Sequence, residues 1–123
     1  MDQVILDTNF IMSCARQKID FFEEIYLMGM EILIPKEVIK EIEKLSKIKG
    51  SANTREDADL AMKLVNRNKY TLIKLKKKNV DDAIKQFSDE NPDVIVATLD
   101  KELKGRVLNK KLIIRGKKKL QII

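Results

Sequence analysis

The sequence predicts an α/β fold built on a mostly parallel sheet. Three observations carry that prediction. Val4-Ile5-Leu6 and the run from Val94 to Thr98 are short, almost wholly apolar segments of the kind found in strands buried on both faces. Segments with apolar residues at helical spacing alternate with these strand-like runs along the chain. The length of 123 residues and a hydrophobic content of 44% suit one domain, residues 1–123, around one core.

Taken in order, residues 3–6 read as a buried strand. Phe10 to Ala15 and Ile19 to Met28 read as helix, broken near Lys18. Glu31-Ile32-Leu33-Ile34 reads as a second strand, stopped by Pro35. That proline suits the first turn of the next helix, where a missing N–H costs nothing. Val38, Ile39, Ile42 and Leu45 then mark one helical face. Ser46 to Asn53, with Gly50-Ser51, reads as a loop. Thr54-Arg55-Glu56-Asp57 resembles a capping box, followed by Ala58, Ala61, Met62 and Val65 at helical spacing. Thr71-Leu72-Ile73 is a candidate third strand. A lysine-rich connection leads to a helix from about Asp81 to Asp89, and Asn91-Pro92-Asp93 is a turn. Val94 to Thr98 is the strongest strand, with a helix from about Lys101 to Leu108 after it. Leu112 to Arg115 is a further strand, and Leu120 to Ile123 extends the sheet at its edge.

Composition removes whole classes of chemistry. The chain has no histidine and one cysteine, so Ser-His-Asp, Cys-His and the usual zinc sites are excluded, as is a disulfide framework. Cys14, set among Phe10, Ile11, Met12 and Ala15, reads as a small buried residue. What remains are carboxylates, hydroxyls, lysines and bound ions. The net charge of +6 favours an anionic partner, and it is unevenly placed. From Lys74 onward there are 14 Lys and Arg against seven Asp and Glu; before it there are 11 against 12. No apolar stretch approaches a membrane span, and the N-terminus opens on a strand-like run rather than a signal peptide, so the chain reads as cytoplasmic.

Four acids stand in telling places. Asp7 and Asp100 each close an apolar strand, and in parallel α/β folds ligands bind beyond the C-terminal strand ends. Glu41 lies in the helix after Pro35. Asp82, beside Asp81, opens the helix of the second half. Each has an ordinary structural use as well: Asp81, Asp82 or Asp100 as a helix cap, Glu41 as a partner of Lys44. Together they form a set that would repel internally unless a cation were present. Hard Mg²⁺ or Mn²⁺, bound by oxygen, would activate water and stabilise the leaving oxygen of a phosphodiester without histidine.

Leu6-Asp7-Thr8-Asn9, Ile34-Pro35 followed by Val38 and Glu41, Asp82-Ala83-Ile84 and Val96-Ala97-Thr98-Leu99-Asp100 resemble the PIN-domain ribonuclease pattern, in order and over nearly the whole chain. The stretch Ile95 to Val107, then Ile113-Ile114-Arg115 and lysines 117–119, is similar to the ribosomal-RNA-processing branch of that family in its archaeal form. The resemblance implies a three-layer α/β/α sandwich with a central parallel sheet. It implies an Mg²⁺- or Mn²⁺-dependent endoribonuclease with Asp7, Glu41, Asp82 and Asp100 as the catalytic and metal-binding cluster. Thr8, Asn9, Thr98 and Asp81 match its supporting positions. Leu99 departs from the polar residue many relatives carry. The Asp81-Asp82 pair makes the third acid ambiguous, and the spacing of 18 residues from Asp82 to Asp100 favours Asp82.

The implied substrate is RNA, with Lys101, Lys104, Arg106 and Arg115 as candidates to neutralise its backbone. A homodimer and a protein partner, an assembly factor or an antitoxin, are the further partner classes. Two other phosphate-handling patterns fit less well. A haloacid-dehalogenase-type phosphatase needs an acid where Asn9 stands, and a response receiver needs an acidic pair where only Asp7 is available. Within the resemblance the alternatives are a VapC-type toxin ribonuclease and an RNA-binding ribosome-assembly factor without catalysis.

Overall fold

The computed structural model describes residues 2–116 and 118–123; Lys117, one of the tail lysines of the family-like ending, lies outside them. Among the described residues the chain order is β1 (Asp2–Leu6), α1 (Thr8–Arg16), α2 (Phe21–Leu27), β2 (Met30–Pro35), α3 (Lys36–Leu45), α4 (Ala52–Arg67), β3 (Thr71–Ile73), α5 (Val80–Glu90), β4 (Ile95–Ala97), α6 (Lys101–Arg106), β5 (Lys111–Arg115) and β6 (Lys119–Ile122). One sheet holds all six strands in the order β3-β2-β1-β4-β5-β6. β1 to β5 run parallel, and β6 returns antiparallel to β5 at the edge.

That order has a functional consequence. From β1 the chain steps outward through β2 to β3, then crosses back to β4 on the other side of β1 and steps outward again. The reversal makes the β1–β4 boundary a topological switch point, the place in open α/β sheets where ligands bind beyond the strand ends. Leu6 and Ala97 are register partners at that boundary, so Asp7 and the Thr98–Asp100 segment emerge side by side.

Side-chain alternation along the strands fills two cores. Val4, Leu6, Ile32, Ile34, Ile95 and Ala97 face α1 to α4, meeting Phe10, Phe22, Ile42 and Ala61. Ile5, Leu33 and Val96 face the other way, meeting Ile84 of α5 and Leu103 of α6. The result is a three-layer α/β/α sandwich. The small side chains of Ala58 and Ala61 let α4 lie close against α1 and α3. Cys14 is fully buried, and burial pushes its thiol up to about 12, as befits a packing residue.

Three local features differ from the sequence reading. Pro35 is the last residue of β2 and the cap position of α3, one residue before the helix begins. α4 starts at Ala52, not after Thr54. Ser51 occupies its cap position and gives its hydroxyl to Thr54 Oγ1 at 2.8 Å, while Asp57 is drawn to Arg16 of α1 at 3.3 Å. α6 stops at Arg106, because Val107 takes an extended conformation and buries its side chain. The break at Lys18 is a left-handed residue, φ 60°, between α1 and α2.

Candidate active site

Asp7 is only 4% exposed, yet its carboxylate is well anchored. As the cap of α1 it accepts the Thr8 N–H on Oδ1 at 2.8 Å. On Oδ2 it accepts the hydroxyl of fully buried Thr98 at 2.9 Å. The same Thr98 oxygen accepts the Asp100 N–H at 3.1 Å. A single hydroxyl therefore couples the end of β1 to the segment after β4. Asn9, in the first turn of α1, strengthens this clasp: its Oδ1 accepts the Leu99 N–H at 3.1 Å. Asp100 caps α6, with Oδ1 accepting from Glu102 N and Leu103 N at 2.8 and 3.2 Å. Its second oxygen is not used by the cap. Capping thus leaves one oxygen of Asp100 outside its hydrogen bonds, while both oxygens of Asp7 are engaged.

Burial raises the Asp7 pKa from 3.8 to about 6, against the lowering effect of the Thr98 and Thr8 hydrogen bonds; the charges of Asp81 and Glu41 raise it further. Asp81 is also raised, first by burial and then by Asp100, with Glu102 and Glu41 adding to the effect and Arg106 opposing it. Asp7 is therefore within electrostatic reach of Asp81 and Glu41, and Asp81 within reach of Asp100 and Glu41. Asp82 has a basic partner of its own. Its carboxylate forms an ion pair with Arg106 at 2.8 Å, both side chains about half exposed. Adjacent helical residues are rotated by roughly 100° about the axis, so the two carboxylates leave α5 in different directions. The spacing to Asp100 favours Asp82; the acidic field around Asp81 favours Asp81. Glu41 has no salt-bridge partner among the described residues, and in particular none with Lys44.

Of the basic candidates, Lys101 is exposed on α6 and Lys104 is half-buried, while Arg115 is exposed at the C-terminal end of β5, on the same sheet edge as the acids. Arg106 is engaged by Asp82. One residue near the site escapes sequence reasoning. Glu102 adds to the acidic field at Asp81, and its place two residues after Asp100, in the same first turn, is the signal that could have found it.

The donor set is entirely oxygen. Among the described residues no three acidic or sulfur side chains are placed so as to hold a metal ion together. Mg²⁺ and Mn²⁺ do not require three, since they are held by one or two carboxylates and retain waters. The buried Thr8 Oγ1, which has no hydrogen-bond partner among the described residues, is a further oxygen beside Asp7. The residues present fit such an ion.

The family described as "PIN like domain" matches residues 4–117. The chain belongs to this PIN-like family. A curated relative, Ribonuclease VapC4 of Methanocaldococcus jannaschii, is 31% identical over 99% of this chain and 97% of its own length. A solved PIN-domain structure, that of the endonuclease Utp24, superposes with a TM-score of 0.78 at 29% identity, covering 98% of this chain and 90% of the other. The PIN-like match thus takes in β1 from Val4, all of β2 to β5 and each of the acids described above.

Proposed function

We propose that this protein is a metal-dependent endoribonuclease, with Asp7, Asp81, Asp100 and Glu41 as its acidic site. The observation that supports it most is the buried Asp7 at the sheet's switch point, clasped through Thr98 to the Asp100 backbone and lying in the field of two further acids. A fold has little structural reason to place carboxylates together where they raise one another's pKa. The names of the two relatives, a ribonuclease and an endonuclease, agree with this reading.

Asp7 and Asp100 would hold Mg²⁺ or Mn²⁺ directly, with Asp81 and Glu41 completing the site. Such an ion supplies activation of water and neutralisation of charge at a phosphodiester. The protein's own contribution is positional. Thr98 and Thr8 fix both oxygens of Asp7, and the α6 cap fixes Asp100, so little reorganisation is needed when substrate arrives. Lys101 and Arg115 would hold the RNA backbone beside the acids, and Asp82 would restrain Arg106 at the rim. With aromatic residues only 5% of the chain, base stacking is a minor term, and recognition rests on backbone and shape.

A circular single-stranded RNA tests the reaction type, since only an internal cut can open it. Opening with Mn²⁺ or Mg²⁺ and not with EDTA supports the proposal. An intact circle alongside trimming of linear RNA from its ends would show an exonuclease instead.

The similarity to VapC4 along the whole chain favours a second reading of the biological role, a toxin whose RNA cleavage is silenced by a bound antitoxin; ribosomal-RNA processing is the first. Growth arrest on expression, relieved by co-expressing the product of an adjacent gene, would decide for the toxin role.

A further inference from the structure

The acidic site poses an electrostatic problem that the cations of α6 and β5 solve on one side only. Four carboxylates repel a polyanion, so an RNA strand needs positive charge on both flanks of the crevice to lie across it. On the β4–β5 side stand Lys101 and Arg115. On the opposite side the chain carries Lys74, Lys76, Lys77 and Lys78 in the connection from β3 to α5.

Three observations set this tract apart from an ordinary solvated run. First, β3 is parallel to β2 and β1, so the connection leaves at the same sheet edge as Asp7 and Asp100 and runs directly into the α5 turn that carries Asp81. Second, the tract is tethered. Leu75 is 7% exposed in the core beneath α5, and its N–H donates to Glu37 Oε1 at 3.3 Å. Third, all four lysines are exposed, and the salt bridge found among them, Lys76 to Glu90 at 3.6 Å, joins two well-exposed side chains. That pairing draws Lys76 to the far end of α5 and leaves Lys77 and Lys78 next to the turn that carries Asp81.

We propose that the end of this connection next to α5, Lys77 and Lys78, is a phosphate-binding wall of the site, so that single-stranded RNA crosses the acids between these two lysines and Lys101 with Arg115. The inference rests on the nuclease reading for its substrate, but its test reads binding separately from cleavage.

The experiment compares wild type, Lys77→Ala/Lys78→Ala and a charge-matched control, Lys47→Ala/Lys49→Ala. The control lysines follow the C-terminal end of α3, which runs back from the site edge. Anisotropy of a fluorescent single-stranded RNA is titrated over a salt series, and cleavage is followed with Mn²⁺. The Lys77/Lys78 variant is expected to bind several-fold more weakly. Its log–log salt slope should fall by about 1.4, or about 0.7 for each single-strand phosphate left without its lysine. Its KM should rise while kcat is kept, and the control should match wild type. Equal binding by both double variants, or equal weakening, overturns the wall while leaving metal-dependent cleavage by wild type intact. A wild type that fails to bind RNA overturns it as well. Binding without cleavage, weakened only in the Lys77/Lys78 variant, upholds the wall and overturns the nuclease reading instead.

Discussion

At Asp7, burial and neighbouring charge oppose ionisation while two hydrogen bonds favour it, and burial wins. The folded pKa of about 6 lies above the ordinary 3.8. Between those values the folded protein binds more protons than the unfolded chain, so stability falls as pH rises through the window and the cost is complete above its top. Two pKa units correspond to about 3 kcal/mol. Asp7→Asn removes this cost. Its amide oxygen can keep the Thr8 N–H, and the Thr98 hydroxyl can turn to Asn9 Oδ1, already 3.3 Å away. Without metal, the variant is expected to be more stable than wild type at pH 7.5 by up to about 3 kcal/mol in urea unfolding, and equal to it near pH 4. Loss of stability at pH 7.5 would make the carboxylate a structural group. Thr98→Val keeps the shape but strands the Asp100 N–H and frees Asp7 Oδ2; a cost of about 1–3 kcal/mol is expected by the same method.

The elements decide which acid of a pair faces the chemistry. α5 is capped by Asn79, whose side chain accepts the Asp82 N–H at 3.1 Å, and this fixes the rotation of its first turn. Asp82 is paired with Arg106 at 2.8 Å, whereas Asp81 lies in the field of Asp100 and Glu41. Asp81→Asn should therefore lower kcat by about 10²–10³-fold, the usual effect of losing one group aimed at transition-state charge. Asp82→Asn should leave kcat close to wild type and cost less than about 1 kcal/mol, because its ion pair is solvent-screened. Reversed kcat effects would put Asp82 in the site. Sequence cannot separate the two, since a helix's rotation is set by its cap and packing rather than by residue order. The strands are legible for the opposite reason: burial on both faces writes an unbroken apolar run, as in Ile95-Val96-Ala97. The start of α4 is not legible, because Asp57, which looks like the reciprocal member of a local cap, is committed to Arg16 of another helix. That pairing spans 41 residues and has no local signature.

At the scale of the molecule, the sheet order brings scattered acids to one edge. Asp7 and Asp100 are far apart in sequence, but β1 and β4 are neighbours at the switch point, and Glu41 and Asp81 enter on helices that start from the same edge. The positions of Asp7 and Asp100 after apolar runs can be read from the residues alone; their clasp through Thr98 requires the register of Leu6 with Ala97. Metal should report on this assembly directly. Mn²⁺ at about 100 times its dissociation constant is expected to stabilise wild type by about 2.7 kcal/mol, seen as a raised Tm, and to stabilise Asp100→Asn far less. The most direct test of the central claim is cleavage of a labelled single-stranded RNA panel by wild type and Asp7→Asn, with Mn²⁺, with Mg²⁺ and with EDTA. Cleavage by wild type that needs the ion and disappears in the variant is the predicted result; cleavage that persists in EDTA, or is equal in both proteins, would contradict it.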